Sequence, residues 1–234
     1  MNEKSVQLSS RLAEIIGKQS GSSIVDTISA SSINIASINI IVLKSMLDIL
    51  KKQGIFVTID RPHQYVQHLL KIHKIDYSKL TFIDVISSYS GDRKKGVPGL
   101  AISRGPFSLS DLIDLIRLTK ATPQAEYLDL VKLDFLIFDN ICSLLIYNTP
   151  ESVMKFLDRL IGLIRETEGI SIVFVVDREE HPALYEFLSL HSDLLMDIRK
   201  DLSMEFSGEV PGGTETGEHI GVEMAETDRT QRRM

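Results

Sequence analysis

Phe135-Leu136-Ile137-Phe138-Asp139-Asn140-Ile141-Cys142-Ser143-Leu144-Leu145 carries the clearest signature of the architecture. Four apolar residues in a row suit a strand covered on both faces, and the aspartate that ends them puts a carboxylate at the strand's carboxyl edge. The same unit recurs on either side. Ile55-Phe56-Val57-Thr58-Ile59-Asp60 is nearly continuous β-former, and Arg61-Pro62 then opens a helix, where proline is tolerated in the first turn. Leu80 to Ile86 repeats the strand, Pro150 to Glu166 is a helix after the opening stretch, and Ile170 to Asp177 precedes a helix from Pro182 to Leu190. Strands alternating with helices predict an α/β fold: a three-layer α/β/α sandwich around a mainly parallel sheet with right-handed crossovers.

Towards the N-terminus, Leu8, Leu12, Ile15 and Ile16 fall at helical spacing within Ser5 to Ile16, an amphipathic helix that packs on the body or on a partner. A short strand follows at Ile24 to Ile28, then a Ser/Asn-rich connection from Ser29 to Asn39 and a helix to Lys52, with Gly54 expected as its left-handed cap. Ser87 to Phe107, with Gly91, Gly96, Gly99, Gly105, Pro98 and Pro106, reads as a long loop, and Ser108 to Lys120 as a helix behind a Ser or Asp cap. From Ser207 the chain is rich in Gly, Thr and Glu and is expected to be disordered. The organisation is an N-terminal helix at 1–20, an α/β domain at 21–206 and an acidic tail at 207–234.

A loop that grips a nucleotide's phosphates needs glycines and a lysine between the first strand and its helix. Between Gly21 and Gly54 there is no glycine, and Lys44 sits inside the helical run rather than at its start. Ser31, Ser32, Ser37 and Asn39 are weak candidates for holding an anion with hydroxyls and helix-start N–H groups, although Ser and Asn are equally the preferred helix caps.

Leu136 to Asn148 resembles the Walker B segment of KaiC/RecA-type ATPases, and in particular an archaeal group of KaiC-like proteins without Walker A. Val57-Thr58-Ile59-Asp60-Arg61-Pro62 is similar to the end of that family's second strand, where active members place a catalytic glutamate. Phe82-Ile83-Asp84-Val85-Ile86 is similar to its third-strand motif, and the resemblance spans roughly Ile24 to Asp197. It implies a RecA/KaiC-like P-loop NTPase fold, with Asp139 in the place of the magnesium-orienting aspartate. Asn140 stands where those enzymes usually carry a serine. Asp60 is one methylene shorter than the catalytic acid, and Arg61 follows where a second acid stands in active members. Asp60 and Asp139 are thus vestigial candidates, and the resemblance implies a fold kept after its chemistry was lost, since fold does not dictate function.

Net charge is −6 with pI near 5.5, so the averaged field repels polyanions, and nucleic acid is an unlikely partner. Cys142 is the sole cysteine, which fits a reducing compartment and a small buried residue rather than a nucleophile. His63, His68 and His73, spaced by five, cannot share one metal on a helix and read as surface histidines. Arg93-Lys94-Lys95 with Arg104 forms the one basic cluster, and Glu209, Glu215, Glu218, Glu223 and Glu226 mark the tail as solubilising. No apolar signal core and no uninterrupted apolar run of membrane length stand out, so the expected location is cytoplasmic.

The leading expectation is a non-catalytic KaiC/RecA-like module for regulation or signalling through a protein partner or self-association, with no cofactor and no metal. The alternative is a residual ATPase, with Mg-ATP held by the Ser-rich connection, Asp139 on magnesium and Asp60 as base.

Overall fold

The computed structural model describes residues 1–19, 23–89, 91, 99–117 and 133–208. In chain order the elements are α1 (Glu3–Lys18), β1 (Ile24–Ala30), α2 (Ile35–Lys44), β2 (Gly54–Thr58), α3 (His63–Ile72), β3 (Leu80–Asp84), β4 (Leu100–Ile102) and α4 (Leu109–Arg117). They continue with β5 (Phe135–Phe138), α5 (Leu144–Tyr147), α6 (Pro150–Arg165), β6 (Ser171–Val176), α7 (Pro182–His191), β7 (Leu194–Ile198) and β8 (Met204–Gly208).

The eight strands form one sheet in the order β4-β3-β2-β5-β6-β1-β7-β8, and every neighbouring pair is parallel except β7 with β8. The expected α/β/α sandwich with a mainly parallel sheet is therefore what the chain forms. Alternation along each strand feeds two cores. Ile172, Phe174 and Val176 of β6 join Leu136 and Phe138 of β5 beneath α4, α6 and α7, while Val173, Val175, Phe135 and Ile137 face α1, α2 and α3. Apolar residues at consecutive positions are needed because both faces are covered.

Helix boundaries follow local chemistry. Thr149 caps α6 by accepting from the Ser152 N–H at 3.3 Å, and Pro150 sits in the first turn without losing a needed donor. Asn2 caps α1 the same way through the Ser5 N–H at 2.9 Å, and α1 buries Leu8, Leu12, Ile15 and Ile16 on the body of the protein. Ser45 Oγ reaches across from a π-turn at Ser45–Ile49 to the Ser9 carbonyl at 2.7 Å, tying α1 to the extension of α2. By length and hydropathy, Ser32–Ile49 would suffice to cross a membrane, yet over half of it is buried inside this fold as a core helix.

Several expectations are corrected. The connection after β1 is much shorter than Ser29 to Asn39: Ser29 and Ala30 belong to β1, a single 3-10 turn covers Ser32–Asn34, and Ile35 begins α2. Gly54 does not cap the preceding helix. Lys51 takes the left-handed conformation, with φ of 58°, and the Lys52 N–H returns to the Met46 carbonyl at 2.9 Å. Gly54 instead begins β2, where a Cβ would lie 2.5 Å from the Phe135 ring. Pro62 stands at the cap position of α3 rather than within its first turn. The long loop contains an edge strand, β4, too short to show alternation. A β7–β8 hairpin closes the sheet, so Ser207 and Gly208 are strand residues rather than tail. Residues 93–95 of the basic cluster and the tail glutamates lie outside the described residues.

Candidate functional site at the carboxyl edge of the sheet

Consecutive strands β2, β5, β6 and β1 end side by side, and three of them end in aspartate: Asp60, Asp139 and Asp177, facing the turn at Ser31 and Ser32. In open parallel sheets this carboxyl edge is where ligands bind. Main-chain pairing fixes the row, since the Asp139 N–H donates to the Val57 carbonyl at 2.9 Å and so continues β5 beside β2.

Asp139 is buried, and its Oδ1 accepts from Asn39 Nδ2 at 3.1 Å, while the same amide also donates to the Asp139 carbonyl. Among the described residues no N–H or hydroxyl donor reaches its Oδ2, nor Asn39 Oδ1 or Asn140 Oδ1. Burial first, then the neighbouring Asp60 carboxylate, push the Asp139 pKa up to about 8, with Arg61 and Asn39 pulling weakly the other way. At neutral pH the Asp139 carboxyl therefore carries a proton that Asp60 can accept. Asp60 itself is more open and accepts from Asn140 Nδ2 at 3.3 Å and Ser143 Oγ at 3.4 Å, with Arg61 Nε at 3.8 Å. The sequence-predicted pair is thus brought together.

The candidate anion-binding residues are not. Ser37 lies exposed on α2, Asn39 is buried in that helix against Asp139, and Ser31 supplies only its carbonyl, to the Asn34 N–H at 2.7 Å. The Ser32 N–H, the donor best placed to meet an anion, is already taken by Asp177 Oδ2 at 2.6 Å, and Ser32 Oγ donates to Glu180 at 3.0 Å. Asp177 also accepts from the N–H groups of Glu179 at 2.9 Å and Glu180 at 3.2 Å. Burial alone would raise its pKa, but the Ser32, Glu180 and Glu179 N–H groups outweigh it and hold the carboxyl below its usual value. Asp177 and Glu180 join the site beyond the sequence-predicted pair, and Ile172 to Asp177 carries the same apolar-strand-plus-aspartate signal as Phe135 to Asp139.

One strand further out, Asp84 is wholly buried and accepts from the His63 N–H at 2.8 Å, His63 Nδ1 at 2.6 Å, the N–H groups of Ile86 and Ser87, and Ser87 Oγ at 2.7 Å. His63 is consequently buried too, correcting its expected surface position, because its ring is the partner that this strand-end carboxylate needs. His68 is exposed as expected. Cys142 is buried, and burial pushes its thiol up to about 11, which keeps it protonated at neutral pH. Among the described residues no group of three or more His, Cys, Asp or Glu is arranged to hold a metal. A cleft of about 310 Å³ between α4 and α6, lined by Phe107, Ile113, Asn148, Lys155 and Arg159 among others, includes none of the strand-end carboxylates.

No protein-family model and no curated protein matches the chain. Among solved structures it is similar to a KaiC-like protein of the hyperthermophilic archaeon Pyrococcus horikoshii, with a TM-score of 0.53 over 79% of this chain and 77% of that one, at 14% identity. The fold is KaiC/RecA-like. A second protein of that archaeon matches with a TM-score of 0.53 at 12% identity, over 86% of this chain and 93% of its own. A third, an uncharacterised protein of the same archaeon solved with an unknown peptide, matches with a TM-score of 0.53 at 14% identity over 84% and 86%. At these identities the likeness describes the KaiC-like framework, within which Asp60, Asp139 and Asp177 occupy the edge that open α/β sheets use for ligands.

Proposed function

We propose that this KaiC-like chain acts by contact rather than catalysis, as a regulatory or signalling module in the cytoplasm that binds a protein partner or a second copy of itself. The observation that carries the reading is Asp177 seated on the Ser32 N–H at 2.6 Å. A carboxylate there fills the position of an incoming phosphate and repels it, and the connection from β1 to α2 supplies neither glycine nor lysine to compensate. On this reading the phosphate-binding loop of the fold has degenerated. The proton held by Asp139 adds support, because a neutral carboxyl is a poor magnesium ligand.

Contact surfaces are present to carry such a role. Tyr89, Phe107 and Ile146 are exposed beside the α4–α6 cleft, and Tyr89 stacks edge-on with Phe107 and Tyr147 at 6.0 and 6.3 Å. The peptide-bound neighbour from Pyrococcus is a precedent for peptide recognition on this framework. A titration with fluorescent ATP, with and without magnesium, tests the reading. No binding at millimolar nucleotide is expected, and micromolar, magnesium-dependent binding lost in Asp139→Ala would sink it. Size-exclusion chromatography with light scattering tests self-association.

A second reading, residual Mg-ATP binding, is favoured by one feature: Asp60 and Asp139 converge beside two buried amide oxygens, Asn39 Oδ1 and Asn140 Oδ1, that have no hydrogen-bond partner among the described residues. Oxygen donors suit magnesium. The same titration separates the two readings.

A further inference from the structure

At the opposite, amino edge of the sheet lies a buried acid that the carboxyl-edge site does not use. Asp26, the third residue of β1, is 0% exposed and flanked by Val173 of β6 and Leu194 of β7. Its Oδ1 accepts from Gln19 Nε2 at 3.3 Å, and Gln19 is the cap residue that ends α1, with its own N–H bonded to the Ile16 carbonyl at 3.2 Å. One contact therefore joins the end of the N-terminal helix to the central sheet.

That contact is incomplete in a specific way. Asp26 Oδ2 and Gln19 Oε1 are both buried without a hydrogen-bond partner among the described residues. An ionised carboxylate and an amide oxygen are both acceptors, so they cannot satisfy each other. A proton on Oδ2 turns it into a donor, and one proton then supplies both orphaned oxygens, as in a carboxylic acid–carboxamide pair. Leaving them unmet would cost the desolvation of each group.

We propose that Asp26 is held as the neutral acid, that it and Gln19 form a buried acid–amide latch fastening α1 to the sheet, and that loss of its proton loosens α1. Burial is the dominant influence and favours the neutral state. The Gln19 amide donating to Oδ1 comes next and opposes it. Asp193, itself engaged by the Val25 N–H at 2.8 Å and by Arg165 at 2.7 Å, disfavours ionisation, while Lys52, ahead of β2, and Arg165, at the end of α6, favour it. Together they place the Asp26 pKa at about 7. What the latch covers is substantial: Leu8, Leu12, Ile15 and Ile16 of α1 pack into the core shared with α2, so release uncovers an apolar face on each helix. The latch is independent of whether the carboxyl edge binds nucleotide.

The test uses the full chain. Carboxyl-carbon NMR should show Asp26 titrating near neutrality, and hydrogen-exchange protection of α1 should fall roughly tenfold or more between about pH 6 and about pH 8.5, after correction for intrinsic exchange. Asp26→Asn, whose amide can pair with Gln19 without a proton, should keep α1 protected at both pH values. An Asp26 carboxyl that titrates near the ordinary aspartate value, or α1 protection in the wild type that does not change with pH, overturns the proposal. Both of those measurements are made on the unmodified protein and stand even if the variant fails to fold.

Discussion

The backbone N–H of Ser32 donates to the carboxylate of Asp177 across 2.6 Å, joining the turn after β1 to the end of β6, the strand next to the one that Asp139 ends. A helix start that would otherwise present free donors is thereby closed from within the chain. The Ser32–Asp177 contact has consequences for stability.

Asp177→Ala should lower stability by about 1–3 kcal/mol, because it removes the acceptor for the Ser32, Glu179 and Glu180 N–H groups. The Asp177 pKa is depressed in the folded state, so its contribution is present above the unfolded aspartate value and lost as pH falls through the folded one. Urea unfolding at pH 7 and at progressively lower pH should show the variant's deficit shrinking on acidification. A deficit that stays constant would contradict this account.

Asp139 has the opposite sign. With its folded pKa raised to about 8, the contribution of the neutral form is complete below the unfolded value near 3.8 and fades as pH climbs towards and through 8. Asp139→Asn keeps a neutral donor facing Asp60 and should flatten the dependence, gaining about 1 kcal/mol or more on the wild type at alkaline pH. Parallel denaturation curves at about pH 6 and pH 9 decide it.

Gly54→Ala should destabilise by about 1–3 kcal/mol, since the added methyl would meet the Phe135 ring at 2.5 Å between two paired strands that cannot separate. Thermal melting of the variant measures the loss. A neutral effect would mean that the ring moves freely in the core.

Asp84→Ala should be the most damaging of these changes, about 3–5 kcal/mol, because it strands buried His63 together with the Ile86 and Ser87 N–H groups. Denaturant titration reads this directly, and His63→Ala should recover part of the loss in the double variant by removing one unpaired group.

Cys142 should resist alkylation in the native protein at pH 8 and react promptly in denaturant, since burial keeps the thiol protonated. Thiol counting with and without urea distinguishes the two states. Equal labelling rates would place the side chain at the surface.

The layered α/β architecture is legible in the chain alone, because apolar residues at consecutive positions, as in Phe135 to Phe138 and Ile172 to Val176, are stable only between two covering layers. So are the places of Asp60 and Asp139, since a charged residue closing such a run has to sit at the strand's end. What those carboxylates meet emerges only once the strands are assembled. Asn39 against Asp139, Asp177 against Ser32, His63 against Asp84 and Gln19 against Asp26 join residues that, apart from the last pair, are distant in sequence. Hydrogen-bond partnership depends on how strands are ordered across the sheet, and local spacing carries no record of that order. The short β4 and the β7–β8 hairpin were hidden for a related reason: edge strands are held by pairing with a neighbour and need little apolar patterning of their own.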